Sequence, residues 1–132
     1  MTYHKKGLET FSKMFGSEYS EKFIDELETI SPEFAKIVNN FLVPEIWALA
    51  KVDLKTKMLC AFSALAALGR PETRSFAYGA YAQGVSREEL TEIILIVGIE
   101  AGFPAALQTF RWANAAWADY NQNKEESSKP HE

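Results

Sequence analysis

The sequence is short of several things that chemistry often needs. It has one cysteine, Cys60, so no internal disulfide can form and no second thiol can resolve a first. It has two histidines, His4 and His131, at opposite ends of the chain. A histidine base is therefore not expected. No His-x-x-x-His, Glu-x-x-His or cysteine cluster points to a metal. There is no glycine-rich loop to cradle a phosphate. There is no basic surplus either: the formal net charge is -4, which argues against a nucleic-acid partner. No apolar run approaches the roughly 18 residues that span a bilayer. The start, "MTYHKKGLETF", holds two lysines with no apolar segment after them, so no secretory leader is read there. A lone cysteine and no leader together give a cytoplasmic expectation.

Strand signals are also scarce, and what is present is helical punctuation. Leu8, Phe11 and Phe15 share one face of a first segment that stops at Gly16. Ser20 is read as opening a second run with Phe23, Ile24 and Leu27. Ser31-Pro32-Glu33 is a helix start, since serine can cap free N–H groups and proline at the first helical position loses no bond. Phe34, Ile37, Val38, Phe41 and Leu42 follow at helical spacing, and Pro44 should interrupt or kink the chain. Asp53 is the next N-cap, opening a helix that ends at Gly69. Arg70-Pro71-Glu72 starts another, ending at Gly84. Ser86 and Glu89 form a capping box. The helix that follows, to about Ala101, is apolar on nearly every face from Ile93 to Ile99 and is expected to be buried on all sides. Gly102 breaks it, and a last helix runs from Pro104 to about Tyr120. These signals predict an all-α single domain of six or seven helices over residues 1–122, with a polar tail at 123–132 expected to be disordered.

The pieces "DLKTK", "ALAALGRPE", "GVSREEL" and "EAGFPAALQTFR", in this order and spacing, resemble the carboxymuconolactone decarboxylase family over roughly Phe41 to Trp117. The resemblance implies an AhpD-like helical bundle around a helical hairpin, assembled as a homo-oligomer, a trimer or hexamer. It implies a lyase of aromatic-compound breakdown that removes CO2 from a carboxylated muconolactone without a cofactor. A sister branch, similar to the alkylhydroperoxidase AhpD, uses a Cys-x-x-Cys pair with a nearby Glu and His. Here Cys60 stands alone among apolar residues and reads as a packed core thiol. Where the family carries an acid and a histidine, this chain has Met58 and Phe76.

Decarboxylation needs groups that hold carboxylates and a group that delivers a proton. Arg74, Tyr78 and Tyr81 fall at i, i+4 and i+7 on one helical face. A guanidinium beside two phenols can bind a carboxylate and offer a proton. Glu100 follows the apolar run near a helix C-terminus, a place that disfavours a negative charge, and is expected to be partly buried. Arg111, in "TFR", is its expected partner. Glu100 and Tyr78 are thus the candidate catalytic groups, and Arg74, Tyr81 and Arg111 the candidate substrate-binding groups. Glu88, Glu89 and Glu92 serve a helix start and its solvated face. Trp47, Trp112 and Trp117, with nine phenylalanines, exceed what one small core needs and point to a subunit interface or an aromatic-lined pocket. Three functions follow: a decarboxylase or related enzyme on a small carboxylate or lactone, a non-catalytic ligand-binding or structural oligomer, and a peroxide-defence protein using Cys60.

Overall fold

Each helix boundary is set by a local backbone requirement. The computed structural model describes residues 2–128, and the side chains of residues 7–126. The side chain of His4, and residues 129–132 of the expected tail with His131 among them, therefore lie outside what is described. Among the described residues there are seven α-helices, one π-helical stretch and no strand. They are α1 (Thr2–Phe15), α2 (Ser17–Ile30), α3 (Pro32–Ile37), the π-helical stretch Val38–Trp47, α4 (Leu54–Leu68), α5 (Thr73–Ala82), α6 (Arg87–Ala101) and α7 (Phe103–Ser128).

The expected caps form. The Ser31 hydroxyl accepts from the Phe34 N–H at 3.2 Å, and the Asp53 carboxylate accepts from the Thr56 N–H at 2.7 Å. Those bonds to Thr56 hold the Asp53 carboxyl below its ordinary range. Ser86 and Glu89 close both arms of their capping box at 3.0 Å. The helix-to-helix corners at Gly16, Gly69, Gly84 and Gly102 all have positive φ, where a Cβ would be strained.

Three boundaries differ from expectation. The second helix opens at Ser17, and Ser20 is inside it: its hydroxyl donates to the Gly16 carbonyl at 2.7 Å, a back-bond rather than a cap. Pro44 does not break the chain. The helix widens to π spacing around it, with the Ala48 N–H reaching back five residues to the Val43 carbonyl at 3.0 Å. A proline ring collides with the carbonyl four residues back, and the wider turn relieves that clash. The last helix passes Tyr120 and continues to Ser128. No glycine or proline occurs between Tyr120 and Ser128 to stop it, and Asn123 is anchored to α5.

The chain divides into two compact units, Met1–Lys57 and Met58–Glu132, with the division inside α4. In the N-terminal unit, α1 packs on α2 and on the π-helical stretch. Phe11, Met14, Phe15, Ile24, Leu27 and Val38 form its core. Rings meet there repeatedly: Phe11 on Phe23 at 5.5 Å, and Phe15 on Tyr19 at 5.2 Å between centroids. Gly7 lets α1 approach closely, since a Cβ there would lie 2.8 Å from the Asn39 carbonyl oxygen. In the C-terminal unit, α7 is the element on which both α5 and α6 pack. Met58, Phe62 and Ala66 bury one stripe of α4 completely, and Ala77, Ala80, Leu90, Ile94, Ala113 and Ala116 join this unit's core. The small alanines let α7 lie close to its neighbours.

Candidate active site on the α5–α7 seam

Arg74, Tyr78 and Tyr81 do share a face of α5, and that face turns to α7. The partners it meets were not visible in the sequence. The Arg74 guanidinium donates from Nε (3.1 Å) and Nη2 (2.8 Å) to Oδ2 of Asp119, in a half-exposed ion pair. One turn inward, the Tyr78 hydroxyl accepts from Nδ2 of Asn123 at 2.9 Å, and its ring meets Tyr120 edge-on at 5.8 Å. One turn further, the buried Tyr81 hydroxyl donates to the Ala113 carbonyl at 3.2 Å, and its ring stands edge-on to Trp117 at 4.9 Å. The seam thus grades from a wet ion pair at Arg74 to a dry phenol at Tyr81.

Arg87, at the start of α6, closes the dry end. Its Nη2 donates to Oδ1 of Asn114 at 3.0 Å, and its guanidinium lies 5.4 Å from the Trp117 ring centroid. Burial pushes the Tyr81 phenol above its ordinary value of 10.0, and the nearby positive charge of Arg87 acts the other way. Tyr81 was expected to touch substrate. Its proton is committed to a backbone carbonyl and its ring to packing, so it serves the framework of the seam.

Glu100 and Arg111 are not brought to this seam by any hydrogen bond or ion pair. Both are exposed, and neither makes a side-chain hydrogen bond or ion pair among the described residues. The expectation of a half-dry Glu100 carboxyl paired with Arg111 is therefore corrected. Its basis was an apolar run taken to be buried on all sides. In this chain α6 buries only Leu90, Ile94, Val97 and Gly98, whereas Leu95, Ile96 and Ile99 face outward. Within the chain itself a helix on the flank of α7 has only one covered face. Cys60 is likewise corrected: it is exposed, on the side of α4 opposite the stripe of Met58, Phe62 and Ala66. A hollow of about 490 Å³ lined by Glu28, Pro32, Lys36, Asn39 and Asn40 belongs to the N-terminal unit and holds none of the five candidates.

Asp119 and Asn123 are the seam residues that sequence reading missed. Their i, i+4 spacing would have placed them on one face, had the last helix not been ended at Tyr120. Chemically, the wet end of the seam holds a guanidinium whose Nε and Nη2 are engaged by Asp119, leaving Nη1 for a further carboxylate, and next to it a phenol whose oxygen receives an amide N–H.

The chain belongs to the carboxymuconolactone decarboxylase family, which matches residues 32–115. Over 127 residues the chain is 27% identical to a 4-carboxymuconolactone decarboxylase of Acinetobacter baylyi, covering 96% of this chain and 95% of that protein.

Proposed function

We propose that the protein is a cofactor-independent decarboxylase, or a related lyase or isomerase, acting on a small cyclic carboxylated compound from aromatic breakdown. The observation that carries this reading is the likeness to the Acinetobacter baylyi decarboxylase across nearly the whole of both chains. Arg74 supplies what such a substrate needs first, a guanidinium at the wet end of the seam to hold a carboxylate. Tyr78 is the proton donor beside it. When the C–C bond to the leaving CO2 breaks, its electron pair stays on the ring carbon as an enolate, and a proton must be delivered to carbon. The amide N–H of Asn123 supports the negative charge that the Tyr78 oxygen takes on as its proton leaves. Glu100, Tyr81 and Arg111 take no part in this step.

A second reading is a ligand-binding or structural oligomer. It is favoured by Met58, fully buried where the family resemblance implies an acid, and by Phe76 where it implies a histidine. The peroxide-defence reading has little support: Cys60 is exposed but has no second cysteine in the chain to resolve it. Self-association belongs to both leading readings. Each unit exposes its own apolar stripe: Ile30, Phe34, Ile37 and Phe41 in one, and Ile96, Ile99, Phe103 and Leu107 in the other. Turnover of 4-carboxymuconolactone, followed by CO2 release, separates the two. Turnover that falls in Arg74→Ala supports the enzyme; binding without CO2 release supports the ligand-binding reading.

A further inference from the structure

The apolar stripe on the C-terminal unit has a charged frame. Ile96 and Ile99 on α6 are 61% and 69% exposed, and Phe103 and Leu107 on α7 are 72% and 53% exposed. Four large side chains left in water across one helical corner are a substantial exposed apolar surface for a chain of this size. The corner is closely packed: Gly102 turns it at φ 105, and a Cβ on Gly98 would lie 3.0 Å from the Ala106 Cβ, so the two helices are in close contact. Glu100 lies four residues after Ile96 on α6. Arg111 lies four residues after Leu107 on α7, extending the Phe103–Leu107 stripe by one turn. Both charges are exposed and unpaired among the described residues.

The corner thus carries an exposed acid in line with the Ile96 row of α6 and an exposed base in line with the Phe103–Leu107 row of α7, the charge complement that a second copy of the same corner would supply. In a two-fold interface the same patch is used by both subunits, so residue i of one meets residue j of the other, and j meets i. We infer that this corner is the face on which a second copy of the chain docks, with Glu100 of each subunit paired to Arg111 of the other around a shared cluster of Ile96, Ile99, Phe103 and Leu107. This rests on the self-association proposed above and names its face and register. It also gives Glu100 an assembly role in place of a catalytic one. A second copy is the partner that supplies both charges and both apolar halves at once.

The test is sedimentation of the full chain over a concentration series, for the wild type, Glu100→Arg, Arg111→Glu, the double exchange and Ile99→Asp. All the changed side chains are exposed, and circular dichroism melting checks that each variant is folded. Each single exchange places like charges face to face, twice per interface, and should weaken association by about 10- to 100-fold. The double exchange should return it to within about threefold of the wild type, since the pairs are restored with reversed sign. Ile99→Asp should release a smaller species. A double exchange as weak as the singles overturns the pairing. An unchanged mass for Ile99→Asp overturns the face while leaving self-association standing. A wild type that stays monomeric overturns both.

Discussion

The two units of this chain are held together in different ways. In the N-terminal unit the side-chain hydrogen bonds reach a short way along the chain: Ser20 to Gly16, Thr29 to Asp25 and Phe34 to Ser31 span three or four residues, and Lys57 donates to the Trp47 carbonyl ten residues back. Its long-range cohesion comes from Phe11, Phe15, Tyr19 and Phe23 and from the close approach at Gly7. The C-terminal unit has local bonds too, but it adds polar contacts that span helices: Arg74 to Asp119 and Asn123 to Tyr78 cross 45 residues, Tyr81 to Ala113 crosses 32 and Arg87 to Asn114 crosses 27. Polar bonds between helices fix a register more sharply than apolar contact does, because each must be satisfied in one geometry. A surface that must hold a carboxylate in place gains from such fixing. The unit with the polar seam is therefore the one expected to carry chemistry, and the aromatic unit the one expected to carry support.

That contrast concerns geometry, and stability should still follow apolar burial in both units. Phe62→Ala should have the largest effect. The ring is 0% exposed, and the cavity left behind should cost about 3–5 kcal/mol, read from urea denaturation. Gly7→Ala should come next, at about 1–3 kcal/mol, because the new methyl meets a backbone oxygen that cannot rotate away. A Gly7→Ala protein as stable as the wild type would show that the N-terminal unit tolerates looser packing than its geometry indicates.

Tyr81→Phe tests the dry end of the seam and should cost about 1 kcal/mol at neutral pH, for one lost hydrogen bond. Its pH dependence carries a sign. The folded phenol titrates above 10.0, so the folded state favours the neutral form. That contribution is fully present below about pH 10 and is lost as pH rises through the raised value. The wild type should therefore lose stability above pH 10 more steeply than Tyr81→Phe. Parallel curves would mean that Tyr81 is not buried as described.

Much of the fold was legible in the sequence because helix ends obey local rules. Ser31, Asp53, Ser86, Gly16, Gly69, Gly84 and Gly102 each act within a turn of themselves, and each does what its type predicts. The π-helical stretch was not legible. Proline opposes an ordinary helix, but nothing local says whether the chain will stop or widen. The length of α7 was misjudged because polar residues lower apolar periodicity without breaking a helix. At the site, spacing alone aligned Arg74, Tyr78 and Tyr81, whereas Asp119 and Asn123 could not be paired with them, since periodicity orients a helix but does not choose its neighbour. Glu100 and Cys60 show the same gap from the other side: both sit among apolar residues, yet an apolar neighbourhood in sequence does not say which face of a helix the chain itself covers.

The ion pair at the wet end gives the smallest structural effect and the most direct functional one. Exposed pairs contribute about 0–1 kcal/mol to stability, so Arg74→Ala should melt close to the wild type. If Arg74 holds the substrate carboxylate, the same change should lower kcat/KM for release of CO2 from 4-carboxymuconolactone by about 10- to 100-fold, as for a lost charged hydrogen bond. Turnover by the wild type that is undiminished in a folded Arg74→Ala protein would contradict the assignment of this seam as the active site.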